Sequence, residues 1–183
     1  MRVLVLNGSA RANGGTKTMA EAFARGAREV GHEVDVIDIA RMDIGGCTGC
    51  EWCHTKGGGR CARRDDMDGI YPLWDDADVI VLASPVYYGS FSGQLHCLVN
   101  RTYAGDKPKG CKAMALLLCS GSKGVYEASE RIYHGFIQGY YGARDLGVFE
   151  ATTEEAKSPA MAEQLEALGR ALEHRMGEQG ACR

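Results

Sequence analysis

Four of the eight cysteines crowd one short stretch, Cys47-Thr48-Gly49-Cys50-Glu51-Trp52-Cys53 followed by Cys61, with the spacing C-x2-C-x2-C-x7-C. Thiolates two residues apart can wrap one face of an iron–sulfur cluster. A structural zinc more often draws on two separated C-x2-C pairs. Gly45, Gly46 and Gly57–Gly59 supply the tight turns such a loop needs. Ala62, rather than the proline that often closes a ferredoxin motif, follows Cys61, and the seven-residue gap carries the fourth thiol further than compact motifs do. The spacing leaves three occupancies open: a cluster, an empty or disulfide-forming loop, and zinc.

A second stretch suits a different chemistry. Asn7-Gly8-Ser9-Ala10-Arg11-Ala12-Asn13-Gly14-Gly15-Thr16 joins an apolar run to a helical pattern. Its glycines let successive N–H groups face one space, Ser9, Thr16 and Thr18 offer hydroxyls, and the helix start adds positive potential. Arg11 is placed to pair with a dianion. These are the needs of a phosphate monoester. No Gly-Lys-Ser/Thr follows for a P-loop, and the dinucleotide GxGxxG is absent. The plain alternative is a flexible turn serving no ligand; its place after a central strand argues for a ligand.

The elements that must hold these loops are legible in five apolar runs: Val3–Leu6, Val34–Ile39, Val79–Ala83, Ala113–Leu118 and Leu146–Glu150. Stretches of helical length separate them, which predicts an α/β fold with a parallel sheet covered on both faces. The first, third and fourth runs are continuously apolar, as strands buried on two faces are. The second alternates with Asp35 and Asp38 and the fifth is short and mixed, so both belong at edges. The order is 2-1-3-4-5. Helices are predicted over about 16–30, with Met19, Phe23, Ala27 and Val30 inward, over 66–74, with Ile70, Leu73 and Ala77 inward, over 92–103, and over a glycine-interrupted 125–141. A last helix begins at Ser158 and Pro159 and carries Met161, Leu165, Leu168, Leu172 and Met176.

That order brings two more loops beside the phosphate loop. Ser84-Pro85-Val86-Tyr87-Tyr88-Gly89-Ser90-Phe91 follows the third strand and offers a planar aromatic wall. Cys119-Ser120-Gly121-Ser122-Lys123-Gly124 follows the fourth, with small residues whose N–H groups can approach a ring. A phosphate pocket beside an aromatic slot describes a flavin mononucleotide (FMN) site.

Gly8-Ser9-Ala10-Arg11 with Asn13 and Thr16, then Ser84-Pro85-Val86-Tyr87-Tyr88-Gly89, resembles the NAD(P)H-dependent FMN reductase family of flavodoxin-like proteins over about residues 1–150. The resemblance implies a flavodoxin-like three-layer sandwich, with residues 1–183 forming one FMN-binding domain that carries a cysteine-rich loop at about 45–64. It implies FMN phosphate at Ser9, Arg11, Gly15 and Thr16, with Asn13 part of the same motif. The ring would lie against Pro85, Val86, Tyr87, Tyr88, Gly89 and Ser90, with Ser120 and Gly121 nearby. Gly15 departs from the asparagine of many relatives and would contribute only backbone. Cys47 to Cys61, with Asp65-Asp66-Met67, resembles the iron–sulfur flavoprotein branch of the family, which implies a [4Fe–4S] cluster held by Cys47, Cys50, Cys53 and Cys61. A homodimer or homotetramer is implied on the same ground.

Other residues carry blander expectations. Asp65 and Asp66 suit helix capping rather than a catalytic pair. Cys97, Cys111 and Cys119 read as small core hydrophobes, and Cys182 lies in a polar tail. Among five scattered histidines only His54, inside the cysteine loop, stands near chemistry. Arg60, Arg63 and Arg64 flank Cys61 as solvated charges or as a steering patch for an anionic partner. Lys and Arg number 21 against 24 Asp and Glu, a net charge of −3, which argues against nucleic acid. No apolar run approaches the roughly 20 residues that span a bilayer, and the N-terminal run is too short for a signal segment. A soluble cytoplasmic chain is expected, where cysteines are reduced, metal-bound or catalytic.

The combined expectation is an oxidoreductase moving electrons from NAD(P)H through FMN to a quinone, flavin or other small acceptor, or a small protein, by way of the cluster. The flavin carries that chemistry, so no side chain is assigned a catalytic role. The rivals are an iron–sulfur flavoprotein electron carrier without nicotinamide turnover and a flavin-free thiol or metal redox sensor.

Overall fold

Alternation of apolar side chains on two sides of each central strand dictates the architecture. In the computed structural model, which describes residues 1–177, five parallel strands form the sheet: β1 (Arg2–Asn7), β2 (Glu33–Ile37), β3 (Val79–Tyr87), β5 (Ala113–Ser120) and β6 (Arg144–Thr152). The order is β2-β1-β3-β5-β6, and a two-residue strand, β4 (Ser90–Phe91), hangs antiparallel on the end of β3. Counted without that hairpin, the parallel strands run 2-1-3-4-5 as expected. Register pairs Val5 with both Val36 and Val81, and Val81 with Ala115. The polar-alternating β2 and the half-exposed β6 are the edges.

Odd-numbered β1 and β3 residues face one helical layer and even-numbered ones the other. Val3, Val5, Val79, Val81, Ala115 and Leu117 pack on α1 (Gly15–Glu29) and α7 (Pro159–Arg170) through Met19, Phe23, Ala27, Leu165 and Leu168. Leu4, Leu6, Ile80, Leu82, Leu116 and Leu118 pack on α3 (Met67–Asp76) and α4 (Gly93–Arg101), and on Tyr133 and Ile137. Short helices complete the chain: α2 (Trp52–Thr55), α5 (Glu127–Ile132), α6 (Gly139–Tyr141) and α8 (Leu172–Gly177). Cys182 lies outside the described residues.

Local chemistry sets the boundaries. Ser158 caps α7 by accepting the Met161 N–H at 3.2 Å, and Ser92 caps α4 by accepting that of Leu95 at 3.3 Å. Three details differ from the sequence expectation. Val30 is 46% exposed rather than inward, because α1 ends at Glu29 and Val30 has left helical geometry. Trp74 rather than Leu73 takes the buried place in α3. The glycine-interrupted segment is not one α-helix: between α5 and α6 it widens into a π-helical turn over Tyr133–Gln138, where the His134 carbonyl would clash with any Cβ at Gly139. Among the described residues no helix is long and apolar enough to cross a membrane.

Candidate functional site

The parallel order delivers three loops to one edge. Gly8 N–H donates to the Ala83 carbonyl at 2.8 Å, which seats the loop after β1 against the end of β3. Ser9 N–H donates to Asn7 Oδ1 at 3.1 Å, and Arg11 N–H to Ser9 Oγ at 3.3 Å, so the turn is curled by its own side chains. Asn7 is fixed in turn by Asp38 at 2.9 Å. Lys17 pairs with Asp38 at 2.5 Å, and its hydrogen bond with that of Asn7 outweighs burial to hold the carboxyl below its ordinary range.

Two features suit this loop to an anion. Gly14, at the cap position of α1, has no side chain with which to satisfy the first N–H groups, and the first turn carries no acid. Ser9, Gly15 and Thr16 are buried around that N-terminus, while Arg11 and Asn13 stand exposed at its rim. The Arg11 guanidinium enters no ion pair among the described residues. Thr18 contributes less than expected: its hydroxyl donates to the Gly14 carbonyl at 3.2 Å. Gly15 is obligatory, since a Cβ there would fall 2.6 Å from Cys119 Sγ and 2.8 Å from Ala156 Cβ. An asparagine side chain has no room here.

The loop after β3 splits in two. Pro85 and Val86 are buried in the strand, so only their backbone faces the edge, whereas Tyr87 is 50% exposed and Tyr88 fully so. Tyr88 at φ 52° and Gly89 at φ 76° turn the chain sharply into β4. Ser129 Oγ donates to the Gly89 carbonyl at 3.1 Å, and Ser90 Oγ meets His96 Nε2 at 2.8 Å. After β5, Ser120 is buried and its hydroxyl is held by the Ser122 carbonyl and Tyr126. Gly121 is open, with nothing near its missing Cβ. Burial pushes the Cys119 thiol up, partly offset by Thr153, Thr16 and the charge of Arg11. The three loops therefore lie on one strand edge, which carries both an uncapped helix N-terminus and two exposed tyrosines.

A second centre lies in the cysteine loop. Cys47, Cys50, Cys53 and Cys61 all line one cavity of ≈ 60 Å³, with Arg63, Arg101 and Tyr103 in its wall. Gly49 at φ 66° and Glu51 at φ 56° bend the chain between the thiols. Trp52 N–H, then the Thr48 side chain, hold the Cys50 thiol below its ordinary range, while burial raises that of Cys53. Among the described residues no three His, Cys, Asp or Glu side chains converge as ligands of a single ion do. The four cysteines thus line one cavity from a single loop, with Cys47 and Cys50 exposed and Cys53 buried.

Around this loop the structure assigns roles that spacing did not reveal. His54 Nε2 meets the Tyr103 carbonyl at 2.9 Å, and Tyr103 OH donates to Glu51 at 3.1 and 3.2 Å, tying α2 to the end of α4. Asp65 does accept the Met67 N–H as a cap, at 3.2 Å, but its second oxygen takes Arg101 Nη1 at 2.6 Å and Arg63 Nε at 2.7 Å. Asp66 instead ties back to the Asp43 N–H at 2.7 Å. Arg64 pairs with Asp68 at 3.5 Å, so two of the three arginines around Cys61 are engaged. Arg101 was missed because a lone arginine reads as surface; the signal was its three-residue spacing from Leu95 and Leu98 on the buried stripe of α4.

Residues 1–166 match the NADPH-dependent FMN reductase family. An iron–sulfur flavoprotein of Archaeoglobus fulgidus is 36% identical over 101 residues, 55% of this chain and 45% of that protein. An iron–sulfur flavoprotein of Methanocaldococcus jannaschii is 32% identical over 142 residues, 75% of this chain and 71% of that one. The chain spans about half the length of most of the curated relatives it matches. Among solved structures, an NAD(P)H:quinone oxidoreductase from Methanothermobacter marburgensis superposes with a TM-score of 0.68 at 18% identity, covering 94% of this chain and 95% of that one.

Proposed function

This chain belongs to the NADPH-dependent FMN reductase family, with iron–sulfur flavoproteins among its relatives, and from that premise we propose that it is an FMN-dependent oxidoreductase. Its electrons come from NAD(P)H and leave to a quinone, flavin or other small acceptor, with a [4Fe–4S] cluster at Cys47, Cys50, Cys53 and Cys61 as a one-electron outlet. The observation that carries this reading is that an uncapped, acid-free start of α1 lies on the same strand edge as the exposed Tyr87–Tyr88 turn.

The chain's own groups divide the work. The first N–H groups of α1, with the hydroxyls of Ser9 and Thr16, hold the phosphate, and Arg11 balances its second charge. Gly15 brings backbone rather than side chain to that anion. The N–H groups around Gly89 and Gly121 approach the ring edge, and Tyr87 and Tyr88 flank its face. The Cys47–Cys61 loop orients four thiolates, and hydrogen bonds from the Trp52 N–H and the Thr48 side chain favour the ionised form of Cys50. Bound FMN supplies the chemistry that accepts two electrons from a nicotinamide and releases them singly. The open crevice and the fully exposed Tyr88 favour closure by a second copy of the chain, in a homodimer or homotetramer.

The test is an anaerobic titration of FMN-loaded protein with NADH and with NADPH, followed by flavin absorbance. Bleaching by either nicotinamide is the expected result. A flavin that stays oxidised overturns the enzyme reading in favour of an electron carrier, and a protein that binds no FMN favours a thiol-based sensor.

A further inference from the structure

The cysteine loop is closed at its neck by one buried ion pair. The side chains of Arg101 and Asp65 are each 1% exposed and meet at 2.6 Å. Arg101 Nη1 also donates to the Gly45 carbonyl at 3.0 Å, two residues before Cys47, and Nη2 to the Arg63 carbonyl at 3.4 Å, two residues after Cys61. Asp65 accepts the Gly45 N–H at 3.2 Å and Arg63 Nε at 2.7 Å. One guanidinium and one carboxylate thus grip both strands of the loop where it leaves the domain. The arginine comes from α4, a rigid helix whose Leu95 and Leu98 are in the core.

Arg101 also lines the cavity that the four thiols share. Its Nε is buried and makes no hydrogen bond among the described residues, although both terminal nitrogens are engaged. A buried N–H without a partner costs free energy, and here it belongs to a residue in the wall of a four-thiol cavity.

We propose that Arg101 and Asp65 are a positioning pair that fixes the span of the Cys47–Cys61 loop and sets the charge acting on the cluster it holds. This rests on the cluster reading above. Net charge and hydrogen bonds to sulfur are levers on the potential of such a centre, and groups behind the ligands govern its retention. The guanidinium favours the more negative, reduced state, and the carboxylate offsets it. The two members of the pair therefore act on the potential in opposite directions, which a purely structural role does not produce.

The test uses anaerobically purified, fully loaded protein in four forms: wild type, D65N, R101Q and R101K. Iron and sulfide content, cluster release to an iron chelator and the cluster's midpoint potential are measured for each. D65N raises the potential, R101Q lowers it, and R101K leaves it near wild type because the charge is kept. Chelator release accelerates on the order of 10–100-fold in R101Q. It also accelerates in R101K, which lacks the planar fork that spans Gly45, Arg63 and Asp65. Should R101Q retain no cluster, D65N and R101K still decide the matter. Potentials unchanged in D65N, or shifted the same way in D65N and R101Q, overturn the inference while leaving the cluster reading intact. A wild-type protein that binds no iron overturns the cluster reading and this inference with it.

Discussion

Replacing Gly26 by alanine should destabilise the protein, although the same change in a helix interior ordinarily stabilises it by about 0.5–1 kcal/mol. Gly26 is where α1 crosses α7: an added Cβ would lie 2.0 Å from the Glu166 carbonyl oxygen and 2.6 Å from that residue's Cα. Gly169 faces it, with its own Cβ position 2.4 Å from the Phe23 carbonyl. Both clashes are with backbone, which no rotamer change relieves. Ordinary contact needs about 3.5 Å, so the helices must separate by roughly 1.5 Å. A gap of even 0.5–1 Å forfeits about a quarter to a half of the packing attraction across it. Phe23, Leu165 and Leu168 are buried at this face, and at about 2 kcal/mol each the loss is about 2–3 kcal/mol. Subtracting the helix-propensity gain of about 0.5–1 kcal/mol leaves a net cost of about 1–2.5 kcal/mol, or roughly 2–4 °C in Tm for each kcal/mol at this chain length. Thermal unfolding followed by circular dichroism measures it. Gly69→Ala is the control, because nothing lies within 4 Å of its Cβ position in α3, and it should raise Tm slightly. A G26A protein that melts at or above the wild-type temperature would refute the close-crossing argument.

Three further outcomes follow from particular groups. Arg11→Ala should weaken FMN about 10- to 100-fold, the worth of a hydrogen-bonded charge, and leave riboflavin, which lacks the phosphate, unaffected; fluorescence titration with both ligands checks it. Partial desolvation and the adjoining Glu130 carboxyl push Glu150 up to about 7. An acid with a raised folded pKa stabilises the fold below its unfolded value of 4.5 and loses that contribution as pH rises through about 7, so E150Q should flatten the stability profile over this window in denaturant titrations. Ser158→Ala removes the cap of α7 and should cost about 1 kcal/mol, seen as a Tm lower by roughly 2–4 °C.

The strand order was legible because burial on two faces leaves continuous apolar runs, as in Val79–Ala83, while Asp35 and Asp38 mark β2 as an edge. The three strand-end loops followed from that order. Elements whose geometry depends on distant partners were not legible. Strand β4 is two residues long and exists only as the mate of Val86 and Tyr87. The π-helical turn answers to packing around Tyr133 and Ile137 rather than to local propensity. The capping expectation held at Asp65 but not at Asp66, while the pairing of Asp65 with Arg101 spans 36 residues of sequence, and no local pattern announces such a pair. For the same reason C-x2-C-x2-C-x7-C located the thiols without revealing what closes their loop.

The central claim is that one chain brings together a flavin crevice and a four-thiol centre. An absorbance spectrum of the full-length protein purified without oxygen, taken with its iron and sulfide content, tests it most directly. The account predicts flavin bands over a broad brown shoulder, with four irons and four sulfides per chain as a [4Fe–4S] centre requires. Flavin bands without the shoulder or the iron would contradict the thiol centre, and a colourless protein that takes up no FMN would contradict the crevice.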